Sequence, residues 1–202
     1  NQGQPYTNHL LIKMSRLVLV IFVCLQSLTQ SVQAQISSPP QTLNFRHYEA
    51  EDGLSNNTVI CSLQDQRGFI WCGADALNRF DGTNFKIFRH DPTQPHSIGG
   101  GGISYLFEDH SGRLWIGTSK GGLYFYNADM DNFYVIEALK GKYVRAIQQD
   151  QTGRLWVAAQ GRLYTLDLPD PQKDNSNKEA LAQTKAKWIQ YAGAEVTSIS
   201  LQ

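Results

Sequence analysis

The chain has 202 residues, with 18 Lys and Arg balanced by 18 Asp and Glu. That balance excludes the one-signed electrostatic footprint used to hold nucleic acid or an acidic membrane surface. The length suits one ordinary domain or part of a larger one. Aromatic residues make up 11% of the chain and there are 17 glycines, while helix-period segments are scarce, so the composition points to an all-β protein with many turns.

In chain order, the first segment is a leader. From Met14 a short basic start (Met14-Ser15-Arg16) precedes the apolar run LVLVIFVCL, Leu17–Leu25, and a polar stretch ends Ser31-Val32-Gln33-Ala34. These are the three zones of a secretory signal peptide, with cleavage expected after Ala34. The apolar run is short for a membrane span, and Val23 before Cys24 is a poor lipidation context. Residues 1–34 are therefore read as a leader and 35–202 as an exported domain.

Next comes a unit that recurs. QDQRGFIWCG, EDHSGRLWIG and QDQTGRLWVA share the spacing Asp-x-x-Gly-x-x-Trp. Their aspartates, Asp65, Asp109 and Asp150, are 44 and 41 residues apart, within the range of propeller blades. Each copy has an apolar run before the Asp and another around the Trp. A third run follows a small-residue turn (LNRF, LYFY, LYTL), and a fourth starts with an aromatic (FKIF, FYVI, WIQY). Four short strands per repeat make one four-stranded antiparallel sheet, a blade, at about 54–92, 98–137 and 143–192.

The spacing has a physical reading. A type I turn favours Asp at its first position and Gly at its fourth. Asp65–Gly68, Asp109–Gly112 and Asp150–Gly153 fit this, which makes the acids turn formers rather than catalysts. Trp71, Trp115 and Trp156 then fall mid-strand, as large apolar surfaces between stacked sheets. Polar residues 169–187 interrupt the third repeat as a loop, with a short helical turn expected at KEALAQ.

The flanks extend the pattern. Thr42–Tyr48 (TLNFRHY) resembles a fourth strand without its companions, and Val196–Gln202 (VTSISLQ) resembles the first strand of a next blade. Ring closure takes at least four blades. The expected fold is thus a β-propeller of three complete blades plus partial ones, a truncated piece of a larger protein.

With these residues in view, the chain resembles the two-component regulator propeller repeats. The resemblance rests on Gly53-Leu54-Ser55, QDQRGFIW, LNRFDGTNFKIFRHDP and EDHSGRLWIGTSKGGLYFYN, and it spans about Phe45–Leu168. Blade one departs from it at Ala74-Asp75-Ala76, where the family has glycine. The resemblance implies a periplasmic sensor region of a hybrid two-component system, followed by a β-sandwich, a membrane span and a histidine kinase, with a homodimer as one full-length form. It also implies an oligosaccharide signal and transcription of polysaccharide-use genes as output. No catalytic residue and no cofactor is expected in this segment. Contact with a membrane is expected only through the later parts, and none with nucleic acid.

Individual sites are less legible. Gly99–Gly102 lacks the Lys-Ser/Thr that a phosphate loop needs and reads as a flexible connection between blades. The histidines do not have ligand spacing, so no metal site is expected. Cys61 and Cys72 would face each other if Asp65 and Gly68 close the hairpin as a directly opposed pair, within reach of a disulfide in an oxidising compartment. The alternative is two small residues on a sheet face. For a saccharide ligand, Asp75, Arg79, His90, His96 and Lys120 near inter-strand loops are the candidate contacts, each also readable as solvated surface. Two competing readings are an exported glycan lyase or hydrolase, which would need paired carboxylates, and an interaction scaffold without a small ligand.

Overall fold

A computed structural model describes residues 43–169, 178–189 and 199. The leader and its proposed cleavage site lie outside them, as does the proposed strand at 196–202 except for Ile199. From His47 onward the described residues belong to one compact unit. Three four-stranded antiparallel sheets follow one another along the chain, as the repeats require. The first is β1 (Cys61–Gln64), β2 (Ile70–Gly73), β3 (Leu77–Phe80) and β4 (Phe85–Phe88). The second is β5 (Ile103–Glu108), β6 (Leu114–Thr118), β7 (Leu123–Asn127) and β8 (Asn132–Val135). The third is β9 (Val144–Gln149), β10 (Leu155–Ala159), β11 (Arg162–Leu166) and β12 (Ala186–Ile189), with helix α1 (Lys178–Ala182) lying before β12 at the expected KEALAQ turn. Residues 43–48 form no strand.

Burial follows the stacking. One core lies between the first and second sheets, where Trp71, Leu77 and Phe88 meet Ile103, Leu114, Ile116 and Tyr124. The other lies between the second and third, where Trp115, Leu123 and Phe125 meet Val144, Ile147, Val157 and Tyr164. Strands β6 and β7 of the middle sheet are buried at every residue, because a sheet covered on both faces has no solvent side. In contrast β1 alternates half-buried and exposed. Gly73 and Gly117 mark where the first strand of the following sheet approaches. A Cβ on Gly73 would lie 2.6 Å from Ile103 Cγ2, and one on Gly117 2.8 Å from Val144 Cγ1.

The hairpin register corrects the cysteine reading. In each copy the Gly N–H bonds the Asp carbonyl at 2.8–3.0 Å, as a type I turn demands. Yet Gly68, Gly112 and Gly153 have φ of +90°, +77° and +84°, and the opposing partner of Asp65 is Phe69, not Gly68. The left-handed glycine forms a one-residue bulge that closes a three-residue loop. Every pairing therefore moves by one. Cys61 faces Gly73 and Ser62 faces Cys72. Because side chains alternate between faces, the two thiols point to opposite sides of the sheet, and both are free. Burial pushes the Cys61 thiol up to about 11.

The glycine run is a connection, but a packed one. A side chain on Gly99 would strike Tyr124 Oη at 2.2 Å and Gly121 Cα at 2.9 Å. Residues 98 and 99 are buried. Glycine is needed there for close passage, not for flexibility.

Candidate ligand-binding site

Each blade is positioned by the same aspartate. Asp65 Oδ1 accepts the backbone N–H of Arg67 and Phe69, each at 3.0 Å, while Oδ2 accepts the Trp71 indole N–H at 2.9 Å. Asp109 repeats this with Ser111, Arg113 and Trp115 at 2.9, 3.0 and 2.8 Å, and Asp150 with Thr152, Arg154 and Trp156 at 2.9, 3.0 and 2.7 Å. The six-residue separation of Asp and Trp thus fixes the turn and the indole with one carboxylate. Burial would raise the Asp65 pKa, but the bonds from Trp71 and Arg67 outweigh it and hold the carboxyl below its ordinary value. For Asp150 the Thr152 hydroxyl and Trp156 indole lower it to about 2.

A second repeated bond joins neighbouring blades. Gln66 N–H donates to the Glu108 carboxylate at 3.1 Å, and His110 N–H to Gln149 Oε1 at 2.8 Å. In both cases the residue after one turn Asp meets the residue before the next. Sequence reading missed both sets of bonds. The signal was present in the threefold Gln/Glu-Asp pair and in the constant Asp-to-Trp spacing.

These turns lie at one end of the blades; the β2–β3, β6–β7 and β10–β11 turns and the β4–β5 connection lie at the other. Four of the five candidate contacts, Asp75, His90, His96 and Lys120, lie in the turns and connection of this second end. Asp75, exposed in the β2–β3 turn, accepts from the Ser55 hydroxyl at 2.8 Å and pairs with Arg89 at 3.4 Å; the Ser55 bond, then Arg89, lowers its pKa against a small burial penalty. His90 Nδ1 lies 2.9 Å from the Ile98 carbonyl, and Lys120 is exposed in the β6–β7 turn. His96 sets its ring 4.4 Å from that of Tyr134, tilted by 42°.

Arg79 does not lie in a loop. Alternation on β3 aims it between the first two sheets, where Nη1 donates to the Tyr126 hydroxyl at 2.6 Å and to Asp131 at 3.1 Å. Its guanidinium lies 4.8 Å from the Phe69 ring centroid. Lys86 and Tyr126 also bond Asp131. Burial and the Asp131 bond push the Tyr126 phenol up to about 12. This cluster joins two blades.

Of the five, His96 lines a cleft of about 380 Å³ beside β4 and β8, together with Arg89, Asp91, Gln94, Asn132 and Phe133. Donors, acceptors and an aromatic wall suit a polyhydroxylated ligand. Its two carboxylates are already engaged: Asp91 by Thr93 and Asp131 by the cluster above. A second cleft of about 480 Å³ lies at the opposite end, between the turns of the second and third blades, lined by His110, Arg113, Gln149 and Gln151 among others. No group of three metal-ligating side chains occurs among the described residues.

Comparison with known proteins agrees with this architecture. The family model "Two component regulator propeller" matches residues 97–120 and 138–161, the stretches holding the second and third turns. A histidine kinase, P4, of Formosa agariphila is 44% identical over 66 residues, which is 31% of this chain and 5% of that protein. The extracellular domain of a hybrid two-component system from B. thetaiotaomicron is 29% identical with a TM-score of 0.53, covering 60% of this chain and 18% of that one. A second such domain from the same organism is 19% identical with a TM-score of 0.56, covering 75% and 19%. The chain thus spans less than a fifth of the solved domains it matches. Two of its repeats match the two-component regulator propeller model, and its all-β blades share the fold of the extracellular domains of hybrid two-component systems.

Proposed function

We propose that this chain is the N-terminal, periplasmic, ligand-sensing part of a hybrid two-component histidine kinase. Its signal is an oligosaccharide and its output is transcription of polysaccharide-use genes. The observation that carries the reading is the match of consecutive blades to sensor propellers of two-component systems, one of them from an extracellular domain 29% identical in sequence. The sequence of the leader supports export. The recurring carboxylates support binding over catalysis, because Asp65, Asp109 and Asp150 each spend both oxygens on the turn and the indole. A general acid needs a carboxyl whose pKa is raised toward neutrality, and those of Asp65 and Asp150 are lowered.

Titration calorimetry of the mature chain against cello-, xylo-, arabino-, chondroitin and alginate oligosaccharides tests this. Binding of one class without cleavage products is the expected result, with His96→Ala weakening it if the first cleft is used. Cleavage of the bound oligosaccharide would replace the sensor by an enzyme. Failure of every class to bind would favour the scaffold.

A further inference from the structure

Most basic side chains of the unit have carboxylate partners: Arg79 and Lys86 with Asp131, Arg89 with Asp75, Arg113 with Asp109, Lys140 with Glu137, Arg154 with Asp167. Among the described residues, Lys120, Lys142, Arg145, Arg162 and Lys185 have none, and of these Lys120, Lys142 and Arg162 lie at the connection end, at the junction of the second and third blades. The backbone places them there. Gly141 N–H bonds the Gly121 carbonyl at 2.9 Å, which sets the Lys140–Lys142 turn against the Lys120 turn. Gln160 N–H bonds the Tyr143 carbonyl at 2.9 Å, which brings the start of β11, and Arg162, beside Lys142.

Aromatic rings underlie two of these cations, Lys142 and Arg162. Tyr164 of β11 and Trp188 of β12 are directly paired across the ladder. The Arg162 guanidinium lies 4.6 Å from the Trp188 ring centroid and the Lys142 ammonium 5.9 Å from that of Tyr164. Trp188 is nevertheless 52% exposed. A half-exposed indole offers an apolar ring face on which a ligand can stack. A stacked guanidinium has its rotamers restricted and can still offer N–H groups for bidentate bonding to a planar oxyanion.

We propose that Lys142, Arg162 and Trp188, flanked by Lys120, form a binding platform for a saccharide bearing carboxylate or sulfate groups. The cations take the oxyanions and the indole takes the apolar face of a sugar ring. This rests on the oligosaccharide reading and narrows it to an acidic class at a place distinct from the His96 cleft.

The test is calorimetric titration of the mature chain with alginate and chondroitin sulfate oligosaccharides, with neutral cello- and xylo-oligosaccharides of equal length, and with a poly-Glu peptide. The acidic saccharides should bind more tightly than neutral ones, with affinity falling as salt rises. Lys142→Ala and Arg162→Ala should each lower that affinity about tenfold or more, the loss of a charge-assisted bond. Arg162→Lys should recover only part of it. Trp188→Ala should weaken binding, and Trp188→Phe should retain most of it, which separates lost stacking from misfolding. A neutral saccharide that binds and is indifferent to these variants would overturn the platform while leaving the oligosaccharide sensor intact. Equal affinity for poly-Glu would overturn saccharide selectivity. No binding by any saccharide would remove the sensor reading as well.

Discussion

At the scale of single residues, the turn aspartates are where the sequence is most explicit and where its meaning was only half visible. The spacing announces a turn with glycine at its fourth position, but the left-handed conformation of that glycine and the indole bond needed the fold, because only strand geometry brings the Trp N–H back over the carboxylate. Asp109 is 1% exposed, so Asp109→Ala strips a buried indole N–H and two turn N–H groups of their acceptor. A loss of about 3 kcal/mol is expected by urea denaturation. Asp150→Ala should cost less, since its turn is half in water and solvent can replace the carboxylate. The pH dependence has a definite sign. The Asp150 folded pKa of about 2 lies below the unfolded value of about 3.9. Its stabilisation is therefore complete above about pH 4 and fades as pH falls toward 2. Urea midpoints of wild type and Asp150→Ala should converge at the acid end.

At the scale of elements, strands were readable from apolar runs, whereas register was not. One left-handed glycine per hairpin shifts every pair by one, and that shift moved Cys61 and Cys72 from opposed neighbours to opposite faces. The expected outcome in an oxidising buffer is two unpaired thiols, both alkylated after denaturation without reductant and detected by mass spectrometry; a Cys61–Cys72 disulfide would contradict the register. Close packing of blades was likewise hidden, since a glycine in Trp-x-Gly reads as a strand weakness until the next sheet is placed against it. Gly117→Ala forces a Cβ to 2.8 Å from Val144 and should destabilise by about 1–3 kcal/mol. The same comparison explains Arg79. Its position two residues into β3 suggests a loop contact in the sequence, but strand alternation aims it at Asp131 of the next blade.

At the scale of the whole molecule, the blade plan was legible because it is written three times, and repetition separates signal from noise. The candidate cleft and the proposed platform were not, because each draws on residues from separate segments that no spacing connects: His96 with Phe133 and Asn132 in the cleft, and Lys142 with Arg162 and Trp188 on the surface. The central claim is that these blades belong to a sensor kinase, and the most direct measurement is to read the coding DNA past the codon for Gln202. The account predicts an open frame with further Asp-x-x-Gly-x-x-Trp repeats, then a membrane span and a kinase domain with its phosphoacceptor histidine. A stop codon soon after enough blades to close a ring, with no span and no kinase, would contradict it.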